Sequence, residues 1–147
     1  MESWTPAYAY ALLFIVSLLA STLLPLGSEW LLIAMLVKGF SPLAAVAVAT
    51  AGNTLGACTT YAVGWFGGQA LATRLFSIKQ ANLDRSQRFY TRYGYWTLLF
   101  SWLPVIGDPL CAFSGFFKIR LSLFTGLVLT GKLARYIVIA WLTLSVT

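Results

Sequence analysis

Between residues 7 and 24, and again between 43 and 66, the chain carries no charged side chain. Apolar runs of about 18 residues or more are long enough to cross a bilayer as a helix. Only 10% of the residues are charged and 59% are hydrophobic, against roughly a quarter charged in a soluble domain. A soluble fold would need more polar surface than ten basic and four acidic residues provide. The pattern predicts an all-α integral membrane protein, with residues 1–147 forming one domain.

The same composition excludes several function classes. There is no histidine, the commonest metal ligand and acid–base group. Cys58 and Cys111 form no metal-binding pattern and read as small buried side chains. No nucleophile–base pair is evident, so neither an enzyme, a metal nor a cofactor is expected. The net charge of +6 does not indicate nucleic acid, because half of the basic residues (Arg74, Lys79, Arg85, Arg88, Arg92) fall in one polar connection. That is how a cytoplasmic loop beside acidic lipid is built. The opening MESWTPAYAY has no basic segment of the signal-peptide kind. Trp4, Tyr8 and Tyr10 suit interfacial anchoring of a retained helix.

Three spanning helices are expected, over 7–23, 43–66 and 121–143, the first stopped by Pro25 and the second started by Pro42. Two apolar pieces, 25–40 and 95–118, are interrupted instead. The first holds Pro25 and Gly27 before Glu29; the second holds Pro104, Gly107 and Pro109 around Asp108. From Glu29 to Val37 a helix rises only about 14 Å, about half of a roughly 30 Å hydrocarbon core. These pieces are expected to be re-entrant half-membrane hairpins.

A shift of 79 residues places Pro25 on Pro104, Glu29 on Asp108, Leu31 on Leu110 and Gly52 on Gly131 without a gap. Each copy reads as a hairpin plus one crossing helix, repeat 1 at about 24–66 and repeat 2 at about 95–143. One crossing per copy turns the second copy over, which gives an inverted repeat. The connection 67–94 interleaves basic residues with Leu71, Leu75, Ile78, Phe89, Tyr90 and Tyr93, as in an amphipathic segment lying on a membrane surface. Placing it in the cytoplasm puts seven basic residues inside and only Lys38 outside, in line with the positive-inside rule. The N-terminus is then cytoplasmic and the C-terminus on the far side.

Two opposed hairpins would bring Glu29 and Asp108 together near the midplane, where ionisable groups mark a pathway or a partner. In the last helix, Lys132 and Arg135 are three apart, hence on one face, with Tyr136 adjacent. Asn53, the repeat counterpart of Lys132, is the best candidate on the other long helix; Thr54, Thr59 and Tyr61 also flank its small-residue stripe. That stripe, Gly52, Gly56, Thr60, Gly64 and Gly68, suits close helix packing, within the chain or across a homodimer.

The stretches EWLL, GNTLGACTTYAVG, LPVIGDPLCAFSG and GKLARY resemble the DedA superfamily, also called SNARE-associated Golgi proteins, in particular its short bacterial YqaA-type branch. The resemblance spans roughly residues 24–140. It implies opposed re-entrant hairpins in a bacterial inner membrane, a periplasmic C-terminus, and movement of lipid phosphates such as polyprenyl phosphate or phospholipid head groups, coupled to protons or sodium. It assigns Glu29 and Asp108 to the acidic hairpin positions and Arg135 to an arginine of the final helix. Better-studied members carry arginines three residues before and three after the second-hairpin proline; Ser101 and Gly107 stand there instead.

The expected function is a small transporter or lipid-phosphate flippase, with Lys132, Arg135, Asn53 and Tyr136 meeting the head group and the two acids coupling protonation to movement. The alternative is a non-transporting scaffold or assembly factor in which the buried charges are structural.

Overall fold

The computed structural model describes residues 5–21, 27–75, 80–103 and 106–147, with backbone alone at 69, 71–75, 80–83, 86, 87 and 108. All regular structure among them is helical: α1 (Pro6–Ala20), α2 (Gly27–Val37), α3 (Pro42–Leu75), α4 (Gln80–Tyr93), a 3-10 segment (Gly94–Trp102), α5 (Gly107–Phe116) and α6 (Leu121–Val146). Proline opens α1 and α3, where its missing N–H has no intrahelical partner to lose. The 3-10 segment ends at Leu103, which is extended with ψ 132°. The following Pro104 disfavours a helical conformation there.

Among the described residues two helices are long and apolar enough to cross a membrane, Pro42–Gly68 within α3 and Leu121–Val146. The expected spanning helix over 7–23 is shorter. The 15 residues of α1 rise only about 22 Å, less than a hydrocarbon core of roughly 30 Å. The second long helix exceeds its expected end at residue 66 and the expected connection begins inside it. Gly67 and Gly68 do not stop α3, because a helix tolerates glycine at modest cost and Gly68 lies against the Phe116 ring. Pro25 and Pro104 fall outside the described residues; Gly107 and Pro109 both lie in the first turn of α5.

The 79-residue register reappears in the backbone. α2 ends at Val37 and α5 at Phe116, and both close with the same pair of bonds. Phe40 N–H donates to Met35 O and Gly39 N–H to Leu36 O; Ile119 N–H donates to Ser114 O and Lys118 N–H to Gly115 O, all within 3.0–3.1 Å. This is the Schellman arrangement, which needs a left-handed residue after the helix. Gly39 has φ 83° and Lys118 has φ 54°. Three residues later each copy starts its long helix, at Pro42 and at Leu121.

The short helices pack across the copies: α5 lies along α3, and α2 along α6, while α1 covers α3 and the 3-10 segment covers α6. Two cores result. One joins Leu13, Leu32, Met35 and Tyr136; the other joins Tyr61, Leu98, Cys111, Phe124 and Val128. The small-residue stripe of α3 is used within the chain on two sides. A methyl group at Gly52 or Gly56 would strike the carbonyls of Phe14 or Leu18 in α1, and one at Gly64 would strike that of Ala112 in α5. That surface is therefore not open to a second copy. Leu43 (83% exposed), Phe66 (81%) and Trp141 (68%) point outward, as side chains facing hydrocarbon do.

Gly115 faces the Tyr61 carbonyl, with Trp65 N 2.9 Å from where its Cβ would sit, whereas Gly126 has nothing within 4 Å. Gly115→Ala should destabilise the protein by about 2 kcal/mol. Gly126→Ala should be neutral or stabilising by up to about 1 kcal/mol. Thermal unfolding of the two variants in the same detergent checks the ranking.

Candidate functional site

α6 presents its polar groups in two directions. At about 100° per residue, Lys132 and Tyr136 point one way, while Gly131, Ala134, Arg135 and Val138 share the adjoining face. The first pair is enclosed: Lys132 is 5% exposed and Tyr136 1%. The second face borders a cavity.

The enclosed side holds a chain of hydrogen bonds through four helices. Lys132 Nζ donates to Ser21 Oγ, just after α1, at 3.1 Å and to Asn53 Oδ1 of α3. Asn53 Nδ2 donates to Tyr136 OH at 2.8 Å, and Tyr136 OH lies 2.9 Å from Ser28 Oγ of α2. An ammonium group can only donate, which fixes the Asn53 amide with its oxygen toward Lys132. Tyr136 then accepts from the amide and shares a further bond with Ser28 Oγ, in which either hydroxyl can donate. The chain thus links Lys132 to the start of α2. Asn53 and Lys132 are 79 residues apart in the sequence register, and they touch.

On the adjoining face, Arg135 pairs with Glu29 through Nη2 and Oε1, with side chains 18% and 23% exposed respectively. Its Nη1 donates to the carbonyl of Trp102 at 3.1 Å. Glu29 is in the first turn of α2, where unpaired N–H groups and the helix dipole favour a carboxylate. One guanidinium therefore ties α2 to the end of the 3-10 segment. The ion pair lines a cavity of about 660 Å³, walled by Leu99, Trp102, Ala134 and Val138 among others and open on one side.

The structure thus brings Glu29, Asn53, Lys132, Arg135 and Tyr136 within one region, but only Glu29 and Arg135 reach the cavity. Lys132, Asn53 and Tyr136 are spent on internal hydrogen bonds. Asp108 is the second residue of α5 and its side chain is outside the described part. Tyr61, which flanks the stripe, is core: its hydroxyl donates to Ile119 O at 2.5 Å and its ring packs on Phe124. Thr59 bonds its own helix at Gly56 O, and the buried Thr54 hydroxyl has no partner. Sequence reasoning missed Ser21, Ser28 and the Trp102 carbonyl. The small residues Gly131 and Ala134, on the face of Arg135, were the available signal for a hollow there. The two positions that depart from the family pattern sit against each other. A Cβ at Gly107 would strike the Ser101 carbonyl, and Ser101 is 3% exposed, so neither site has room for an arginine. Among the described residues no three His, Cys, Asp or Glu come together.

Tyr136→Phe removes one hydroxyl and leaves Asn53 Nδ2 and Ser28 Oγ each short of a partner. It should cost about 1–2 kcal/mol with little change in helix content, read by thermal unfolding and circular dichroism in one detergent.

The VTT domain model matches residues 24–144. The inner membrane protein YqaA of Escherichia coli (strain K12) is 37% identical over 131 residues, covering 87% of this chain and 86% of the relative. An uncharacterised protein of Haemophilus influenzae is 34% identical over 149 residues, covering 93% and 88%. No solved structure matches. The chain is a membrane protein that belongs to the VTT domain family, the DedA or SNARE-associated group, alongside inner membrane proteins of bacteria.

Proposed function

We propose that this chain is a small inner-membrane transporter that passes the phosphate head group of a polyprenyl phosphate or phospholipid between leaflets. The observation that carries this reading is the Glu29–Arg135 pair set in an apolar cavity open on one side. A lipid phosphate has that same composition: one anionic group on an apolar chain. Its head would meet Arg135 by charge-assisted bonds, while its tail runs past Leu99, Trp102 and Val138 and stays in hydrocarbon.

In this reading Glu29 supplies the coupling. With Glu29 ionised, Arg135 is already neutralised and a phosphate would bring an unpaired negative charge into an apolar site, which is costly. Protonation of Glu29 releases the guanidinium for the phosphate. Proton and cargo then bind together, which predicts co-transport. Asp108, in the matching position of the second copy, would serve the other hairpin. The two copies, each with one crossing helix, would face opposite sides of the bilayer. Rocking one against the other would expose the cavity alternately. The N-terminus and α4 would be cytoplasmic and the C-terminus periplasmic.

Reconstituted into liposomes, wild-type protein should move labelled polyprenyl phosphate or phospholipid between leaflets, faster with an imposed proton gradient. Glu29→Gln and Arg135→Ala, both checked for folding, should fall to the protein-free rate. Binding of the lipid phosphate should tighten as pH falls in the wild type and be insensitive to pH in Glu29→Gln. Equal background rates in wild type and both variants would instead favour a non-transporting scaffold whose ion pair is structural.

A further inference from the structure

The function proposed above leaves α4 unused. Among the described residues its packing against the rest of the protein is confined to its C-terminal end. The Tyr90 ring stacks on Phe117 at 4.4 Å. Tyr90 OH lies 3.2 Å from Thr97 Oγ1, and Thr97 gives its own proton to Gly94 O at 2.5 Å, so Tyr90 is the donor. Gly94 makes room for this, since a Cβ there would sit 2.6 Å from the Tyr90 ring. The opposite face carries Arg85, Arg88 and Arg92, all exposed. At i, i+3 and i+7 these three share one side of the helix. Beside them runs a second band, Phe89 (68% exposed) and Tyr93 (55%), with their rings 5.3 Å apart.

We infer that α4 is a docking surface for acidic lipid head groups and that it passes their binding to the 3-10 segment. The charge complementarity is direct: three guanidinium groups in a row match phosphates, and the adjoining aromatic band enters the upper acyl region, as in interfacial helices. Arginine suits phosphate because its planar fork can hold two oxygens at once. The transmission route is the Tyr90 contact. A lipid that fixes α4 fixes Tyr90, which grips Thr97 in the 3-10 segment. The far end of that segment supplies the Trp102 carbonyl to Arg135. Acidic lipid would thereby hold one of the two attachments of the central guanidinium.

Hydrogen–deuterium exchange of the full chain in nanodiscs tests this without any transport measurement, so a failed flippase reading leaves it standing. The discs contain either phosphatidylcholine alone or phosphatidylcholine with phosphatidylglycerol. Exchange over 80–93 should be about a hundredfold slower in the acidic discs, from roughly additive attraction of three basic residues. Residues 94–103 should slow with it, and α6 should not. Salt of about 1 M, which shortens screening to about 3 Å, should remove the difference, as should the triple variant Arg85→Gln, Arg88→Gln, Arg92→Gln. Tyr90→Ala should keep the effect in α4 and lose it over 94–103. Equal exchange of α4 in the two discs would overturn the proposal and leave a protein partner as the occupant. A response confined to α4 in the wild type would overturn the transmission.

Discussion

A guanidinium group in apolar surroundings has to be met by oxygen atoms, because no water replaces them. Arg135 is met from two directions, by the Glu29 carboxylate of α2 and by the Trp102 carbonyl. Neither oxygen belongs to α6, so the charge on one helix sets the positions of two others. The polar chain from Lys132 to Ser28 attaches to the same end of α2. The site is therefore a constraint on the fold as well as a candidate for chemistry. Both short helices are individually too short to be stable alone, and close packing on long helices together with these polar ties holds them.

The two polar systems of α6 differ in what they can do. The Lys132 chain is saturated and enclosed; hydrogen bonds of this kind between membrane helices are worth about 0.6 kcal/mol each on average, enough to define one arrangement. Arg135 borders open volume. A purely structural ion pair gains nothing from an adjoining cavity of about 660 Å³, which weakens packing on one side. That is the physical reason to favour a transporter over a scaffold for this chain.

How far the sequence reaches depends on how strictly a residue is constrained. The 79-residue register was legible because proline, glycine and an acid recur together in it, and the helix ends obey the same spacing. The turn after α5 was not, since Lys118 occupies the left-handed position that Gly39 fills in the first copy, and lysine carries no signal for it. The early end of α1 at Ala20 was hidden inside a run that stays apolar to residue 24. In the site, spacing of three put Lys132 and Arg135 on one shared face, whereas Lys132 is enclosed and Arg135 borders the cavity. It could not show that about 60° of rotation separates an enclosed direction from an open one. The Trp102 contribution comes from backbone, which any residue could supply.

The two copies share a plan but not their residues at the decisive places, and this inequality bears on how the molecule would work. The counterpart of Arg135 in the first copy is Gly56, 79 residues earlier. There α1 comes so close that an added methyl group would meet the Leu18 carbonyl, and the Ser21 side chain is at 2.8 Å. Where the second copy has a cavity floored by a charge, the first has tight helix contact. The Asn53–Lys132 pair shows the same division: the first copy contributes the neutral Asn53 and the second the charged Lys132. In the proposed rocking of one copy against the other, the two would not exchange identical roles. The α1–α3 contact is closed tightly at Gly52 and Gly56, whereas the α2–α6–Trp102 side borders open volume. Arg135 and Tyr136 both reach from α6 to α2, and of these two ties only the Arg135–Glu29 pair borders the cavity.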